Sequence, residues 1–202
     1  MQPNWHFHFV KADHRARLAF IKAMGPTQYR FLSVAVHKPN LKKTYNFSRL
    51  SFLYFYAAKL LLGRISWLCR QRRERLEGIY LSSRRGLREG NAKEYLRELR
   101  EGYFSEFSNS IEWDFVNHEA LYVVPNKTKI GLQRADLMAS AVGHSICPTP
   151  YGITEPRYMF ALRDHIYADQ ASHLGYGLKF FPRLSDEMRA EPRFEWLEQF
   201  GR

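Results

Sequence analysis

Cysteine and long apolar runs are both scarce in this sequence of 202 residues. The two cysteines, Cys69 and Cys147, lie far apart outside any C-x-x-C pair, which argues against a disulfide framework and a cysteine zinc site. The most apolar stretch, residues 52–69, is interrupted by Lys59 and Arg64, so it predicts a buried helix of a soluble protein rather than a membrane span. The first residues lack the charged and apolar regions of a signal peptide, and we expect a cytoplasmic protein with no membrane partner.

Several motifs that identify enzymes are also missing. The sequence contains no phosphate-binding G-x-x-x-x-G-K-[ST], no dinucleotide-binding G-x-G-x-x-G and no metalloprotease H-E-x-x-H. The segment GHSIC (143–147) lacks the second glycine of a nucleophile elbow, so a serine hydrolase has little support. His6 and His8 share one face of a predicted strand, but no third ligand follows at a useful spacing, and exposed or structural histidines are favoured over a metal site.

Basic residues, in contrast, are abundant. The net charge is +11 and the isoelectric point is near 9.8, which favours a polyanionic partner, nucleic acid before membrane. Residues 64–100 contain eleven Lys or Arg and five Glu, with Tyr80 and Tyr95 among them. Such a surface can follow a phosphate backbone, and we predict that Arg72, Arg73, Arg84 and Arg85 bind nucleic acid. The alternative is a solvated face of Glu–Arg pairs at helical spacing.

The order of helical and strand patterns predicts an α/β fold in which helices cover a sheet. With 45% hydrophobic residues, the chain can form a proper core, and we predict one domain over residues 1–202. The segment 29–38 is apolar on both faces and predicts a central, covered strand. Helices are predicted at 14–24 (capped by Asp13), 48–75, 92–100, 128–144 and 156–168; the other strands are predicted at 5–10, 78–83, 111–116, 120–124 and 176–182.

A single carboxylate, Asp136, lies in a helix of small residues that is predicted to be buried. At helical spacing Asp136 shares a face with Gln133 and Ser140. A buried, unpaired carboxylate would cost several kcal/mol, on the order of the values measured for other buried polar groups. We therefore expect a metal, a cation or hydrogen-bond donors beside Asp136, and a buried Asp–Arg pair is the structural alternative.

The segment KTKIGLQRADLMASAVG (127–143) resembles a signature, K-x-x-N-I-x-G-L-Q-x-A-D-L-x-A, of the bacterial family known as domain of unknown function 3800. Further similarity lies in YRFLSVAVHK (29–38) and YLSSRRGLREGNAKEYL (80–96), and the resemblance covers about residues 5–145. Residues 146–202 would then be a C-terminal helix and strand extension. The resemblance implies a ribonuclease H-like mixed sheet flanked by helices. The chain would be incomplete at its N-terminus, because the family's D-E-S-G strand has no counterpart.

The resemblance also implies a metal-dependent nuclease-like protein, in which several carboxylates hold Mg²⁺ or Mn²⁺ for phosphodiester hydrolysis. Asp136 would be the metal ligand, Gln133 would orient it or contact substrate, and Lys127 and Lys129 would face a phosphate. The family's middle-strand acid is replaced by Ser82. With one inherited carboxylate, we expect weak metal binding and a catalytically weakened or inactive protein.

Two alternatives remain at this point: a non-catalytic module that binds nucleic acid or protein, and a truncated, inactive gene product. A missing first strand would leave unpaired N–H and C=O groups at the sheet edge. We therefore expect either a D-E-S-G-like strand encoded upstream of Met1, or a second copy or partner strand that covers the edge.

Overall fold

The computed structural model of the chain describes residues 9–24, 29–41, 50–103 and 110–201. These residues form an α/β structure, as predicted. The α-helices are α1 (His14–Ala23), α2 (Leu50–Arg72), α3 (Glu89–Glu101), α4 (Ile130–Ile146), α5 (Arg157–Leu162) and α6 (Asp186–Arg189). The strands are β1 (Ser33–Val36), β2 (Ile79–Ser82), β3 (Leu121–Val124) and β4 (Leu178–Phe181).

The chain divides into two compact units, and the two boundaries fall inside β1 and inside α4. The first unit combines residues up to 35 with residues 133–202, and the second unit is the continuous segment 36–132. Residues 146–202, predicted as an extension, contribute much of the first unit's core. Tyr158, Leu162 and Phe200 are each at most 1% exposed in that core.

The first unit begins with a helix whose start is determined by local chemistry. Asp13 precedes α1 in an extended conformation, and its carboxylate accepts a hydrogen bond from the Ala16 backbone N–H at 2.7 Å. Ile21 of α1 is buried in the core, with Leu18 and Phe20 packed beside it at helical spacing.

The second unit is built around a parallel strand pair. β2 and β3 pair in register from Ile79 opposite Leu121 to Ser82 opposite Val124. Helix α3 packs against this pair and buries Ala92, Leu96 and Leu99, while α2 contributes Leu62 to the same core. The strand, helix and strand of this region were all predicted from sequence, although α3 begins three residues earlier than expected.

Several predicted strands differ from the structure. Most of the predicted strand 5–10, including His6 and His8, lies outside the described residues, and its end at Phe9–Lys11 is a 3-10 helix. The predicted strand 111–116 contains the 3-10 helix Trp113–Phe115. Trp113 packs against the hydrophobic core of the second unit, and this tertiary context overrides the local β propensity.

The predicted central strand is also different. β1 pairs with β4, and the described strands form two separate two-stranded sheets, β1–β4 and β2–β3, in place of the single mixed sheet that we expected. All four residues of β1 are half-buried, although β1 pairs with one strand only. Loops and helices can cover a strand in this way without further strands beside it. An apolar pattern on both faces predicted coverage but could not specify the partner strands.

None of the helices in the described part of the chain is both long enough and apolar enough to span a membrane. In α2, the longest of them, Lys59 and Arg64 are each 5% exposed, and burial lowers the pKa of both side chains. The Arg64 guanidinium donates a hydrogen bond to the Leu60 carbonyl at 2.7 Å, which partly satisfies a cation that the helix buries.

Candidate nucleic-acid interface

The strand pair β2–β3 has one buried face and one open face. Successive side chains of a strand point to opposite faces, so Ile79, Leu81, Leu121 and Val123 share the inner face. All four belong to the hydrophobic core of the second unit. The opposite face carries Tyr80 and Tyr122, which are register partners.

The two outward-facing tyrosines stack on each other. Their ring centroids are 5.1 Å apart with an interplanar angle of 23°. Tyr80 is 43% exposed and Tyr122 is 42% exposed, so nearly half of each side chain is accessible to solvent. An ideal Cβ at Gly78 would lie 3.3 Å from the Tyr80 ring, so the ring rests close to the backbone at this glycine.

A lysine lies over each of these rings. The Lys129 ammonium is 4.7 Å from the Tyr80 centroid, and the Lys93 ammonium is 5.9 Å from the Tyr122 centroid. Both distances are within the range of cation–π attraction. The open face is therefore a pair of aromatic rings between two cations, and we call Tyr80, Tyr122, Lys93 and Lys129 the tyrosine platform.

Glu89 holds one of these lysines in place. Its carboxylate pairs with the Lys93 ammonium at 2.9 Å and accepts a hydrogen bond from the Val123 backbone N–H at 3.0 Å. The hydrogen bond to Lys93 and then that to Val123 lower the pKa of the Glu89 carboxyl. Because that Val123 N–H points away from β2, Glu89 also occupies the outer edge of β3.

Basic residues follow the carboxyl ends of both strands. β2 ends at Ser82, and the Ser83 backbone N–H donates a hydrogen bond to the Val124 carbonyl at 2.8 Å. Parallel strands end at the same edge of a sheet, so the chains after β2 and β3 leave from one place. This arrangement brings together four of the six predicted nucleic-acid-binding residues. They are Arg84, Arg85, Lys127 and Lys129, and we call them the carboxyl-end cluster.

The side chains of the carboxyl-end cluster are accessible. All four are exposed, and none forms an ion pair with another residue of the described ranges. The Arg84 guanidinium lies 3.9 Å from the ring centroid of Tyr54, near the start of α2. Burial raises the pKa of the Tyr54 hydroxyl, and the positive charge of Arg84 opposes that rise.

The other two predicted residues, Arg72 and Arg73, lie at the opposite end of the second unit. Tyr54 contacts Arg84 beyond the end of β2, and Arg72 follows Tyr54 by 18 residues along α2. At 1.5 Å per residue, these two positions are about 27 Å apart along the helix axis. Arg72 and Arg73 are exposed, but a phosphate at the carboxyl-end cluster is out of their reach.

Part of the basic stretch 64–100 is neutralised locally. Arg97 pairs with Glu94 at 2.7 Å, as predicted for the solvated-face alternative, and Arg70 pairs with Glu112. Tyr95 packs on the Phe55 ring with centroids 4.7 Å apart, and burial raises the pKa of its hydroxyl. Within the described ranges, the carboxyl-end cluster is therefore the part of the predicted surface where several cations without an ion-pair partner lie together.

The two units differ in charge. Residues 36–132 hold 18 Lys or Arg and 10 Asp or Glu, a net charge of +8, whereas the rest of the chain holds 13 and 10, a net charge of +3. Most of the excess positive charge therefore belongs to the unit that carries the tyrosine platform. Long-range attraction of a polyanion would favour this unit.

Asp136 is exposed, which contradicts the prediction that it is buried. Helix α4 buries one face only, through Leu137, Met138, Ala141, Val142 and Ser145. Asp136 and its neighbour Ala135 lie on the solvent side, and Gln133 is half-buried. A solvated carboxylate carries no desolvation cost, so the argument that Asp136 requires a metal or cation beside it does not hold.

The described residues offer no cluster of metal ligands. Among the described residues, no three His, Cys, Asp or Glu side chains are grouped so that they could hold a metal ion. A hard cation such as Mg²⁺ binds well only where several oxygen ligands converge. The described surroundings of Asp136 do not fit such a site, and we derive no reaction step through a metal.

Tyr122 and Lys93 are members of the tyrosine platform that sequence reasoning missed. Tyr122 lies between Leu121 and Val123, which face the core, and this period of two is the sequence signal that could have placed it on the open face. Its contact with Tyr80, 42 positions earlier, depends on the pairing of β2 with β3.

No protein-family model, curated protein or solved structure matches this chain.

Proposed function

We propose that this protein binds nucleic acid through the carboxyl-end cluster of its second unit. The observation that carries the proposal is the position of four exposed cations after the ends of two adjacent parallel strands, none of them in an ion pair with a described residue: Arg84, Arg85, Lys127 and Lys129. Each cation is available to replace a condensed counterion on a phosphate backbone, which is the main source of non-specific affinity.

Arginine and lysine contribute differently to such a surface. The guanidinium of Arg84 or Arg85 presents a planar fork that matches two phosphate oxygens, whereas Lys127 and Lys129 act as compact point charges. Arg84 and Arg85 lie in the loop between β2 and α3. The next residue, Gly86, has a φ of +84°, a left-handed conformation that favours glycine. We assign these four side chains to phosphate oxygens, which carry no sequence information, so we expect affinity without sequence preference.

The proposal is tested by binding of a fluorescein-labelled 20-nucleotide strand and its duplex, measured by anisotropy at about 0.1 M salt. Replacement of all four cluster residues by alanine removes four charges. The matched control replaces four exposed cations of the first unit, Arg15, Lys22, Arg30 and Arg183, and changes the net charge equally.

We expect the cluster variant to bind at least tenfold more weakly than the control variant on both probes, because contacts to phosphate act over less than about one Debye length, ~10 Å. Equal losses in the two variants would show that the total charge, and not this cluster, attracts the polyanion. An unchanged affinity in the cluster variant would contradict the proposal directly.

We also propose, as the second candidate, that the chain is a ribonuclease H-like, nuclease-like protein with weak activity. The supporting observations are the resemblance in residues 127–143 and the position of Asp136, which is exposed on the helix that follows β3. Gln133 lies one helical turn before Asp136, and a cation at this carboxylate would bind weakly because no group of three ligands lies among the described residues.

The second candidate is tested by incubation of labelled RNA and DNA strands with the protein and about 5 mM Mn²⁺, a concentration chosen for a site of millimolar affinity. Cleavage that Asp136→Asn abolishes would support a nuclease. Cleavage that persists in Asp136→Asn would show that Asp136 is not required and would refute its assignment, and complete absence of cleavage would leave the protein as a binding module.

A further inference from the structure

We propose that the tyrosine platform is a base-stacking site that makes this protein selective for single-stranded nucleic acid. This inference rests on the proposed function, since the carboxyl-end cluster would supply the phosphate contacts. It adds a second kind of contact, in which an unpaired base stacks on an aromatic ring. Tyr80 is the primary stacking residue and Tyr122 supports it.

The tyrosine platform lies beside the carboxyl-end cluster. Lys129 belongs to both, because it follows the end of β3 and its ammonium lies 4.7 Å from the Tyr80 ring centroid. A strand whose phosphate contacts Lys129 therefore has its nearest bases within reach of Tyr80. Both tyrosines remain more than 40% exposed, so the rings are accessible to such a base.

A base and the Lys129 ammonium compete for the same ring of Tyr80. A cation over an exposed ring stabilises the contact by about two- to fivefold in equilibrium constant. Stacking of a base on an aromatic side chain contributes about five- to 150-fold. A base therefore displaces the Lys129 ammonium from the Tyr80 ring, and the freed ammonium moves to a phosphate.

The two rings are not equivalent in this exchange. Lys129 forms no ion pair within the described residues, whereas Lys93 is held over Tyr122 by its 2.9 Å pair with Glu89. Displacement of Lys93 would break that pair, so the Tyr122 ring is less accessible to a base. Tyr122 instead supports the first site by stacking against Tyr80 at 5.1 Å.

Selectivity for single strands follows from geometry. In a duplex the faces of the bases are covered by their neighbours, and a protein ring can reach them only after unstacking. A flexible single strand presents these faces freely, and any of the four bases can stack. The platform thus recognises the single-stranded state without reading sequence.

The experiment compares a non-self-complementary 12-nucleotide DNA strand with an abasic strand of equal length, which keeps the phosphates and lacks the bases. Affinities are measured by anisotropy for the wild-type chain, Tyr80→Leu and Tyr80→Phe. Tyr80→Phe keeps the ring and is the matched control. Circular dichroism and thermal melting of each variant show whether the strand pair has folded.

We expect the wild-type chain and Tyr80→Phe to bind the base-containing strand about five- to 150-fold more tightly than the abasic strand. In Tyr80→Leu this ratio should fall toward one, while affinity for the abasic strand stays within about twofold. A matched 12-base-pair duplex should bind all three proteins alike. Tyr122→Leu should reduce the ratio less than Tyr80→Leu does.

Two failures can be told apart. If the wild-type chain binds neither strand, the proposed function fails. If it binds both strands equally and the alanine variant of the carboxyl-end cluster binds neither, nucleic-acid binding stands and base stacking is refuted. A ratio in Tyr80→Leu that equals the wild-type ratio would also overturn the assignment of Tyr80.

Discussion

The salt dependence of nucleic-acid binding should distinguish two pairs of arginines that carry the same charge and lie in the same basic stretch of the sequence. Arg84 and Arg85 belong to the carboxyl-end cluster, whereas Arg72 lies about 27 Å from it along α2. We predict that Arg84→Ala/Arg85→Ala flattens the plot of log affinity against log salt, and that Arg72→Ala/Arg73→Ala leaves its slope unchanged.

The slope of log affinity against log salt follows from the number of phosphate contacts. Four cluster cations on a single strand predict a slope of about −2.8, at about −0.7 for each phosphate, and removal of two predicts about −1.4. Between about 50 and 200 mM salt, the wild-type affinity should fall about 50-fold and that of Arg84→Ala/Arg85→Ala only about sevenfold.

Anisotropy titrations at four or five salt concentrations measure these slopes, and both double variants lose the same formal charge. The reasoning is refuted if Arg72→Ala/Arg73→Ala flattens the slope as much as Arg84→Ala/Arg85→Ala. It is equally refuted if neither pair changes the slope, because the cations would then make no contact with phosphate.

Three further predictions concern stability and metal binding. Leu99→Ala, at a side chain only 1% exposed, should lower the free energy of unfolding by about 2–5 kcal/mol in urea denaturation, while the exposed control Ile130→Ala should change it by less than about 0.5 kcal/mol. Glu89 has a lowered pKa in the folded state, so its stabilising effect is present above the pKa of the unfolded chain and is lost as the pH falls through the folded pKa. The acid-induced loss of stability should therefore be smaller in Glu89→Gln, and an identical pH profile would contradict this. Calorimetry should show Mn²⁺ binding no tighter than about millimolar, and micromolar binding that Asp136→Asn abolishes would restore a metal site.

Local features of the sequence determined several elements of this protein. Asp13 predicted the start of α1 because a capping carboxylate needs only a backbone N–H three residues away. Residues 78–83 and 120–124 were both predicted as strands, and both formed, as β2 and β3. The excess of positive charge in residues 64–100 was also evident without a structure, because charge is a property of composition.

Tertiary structure decided which of these residues meet. The parallel pairing of β2 with β3 brings Tyr80 to Tyr122 and the basic loops to one edge, and such pairing between distant segments leaves no local pattern. The same dependence explains why Asp136 was wrongly predicted to be buried. A helix of small residues is compatible with burial on any side, and only the elements packed against α4 determine that Leu137 lies inside and Asp136 faces solvent.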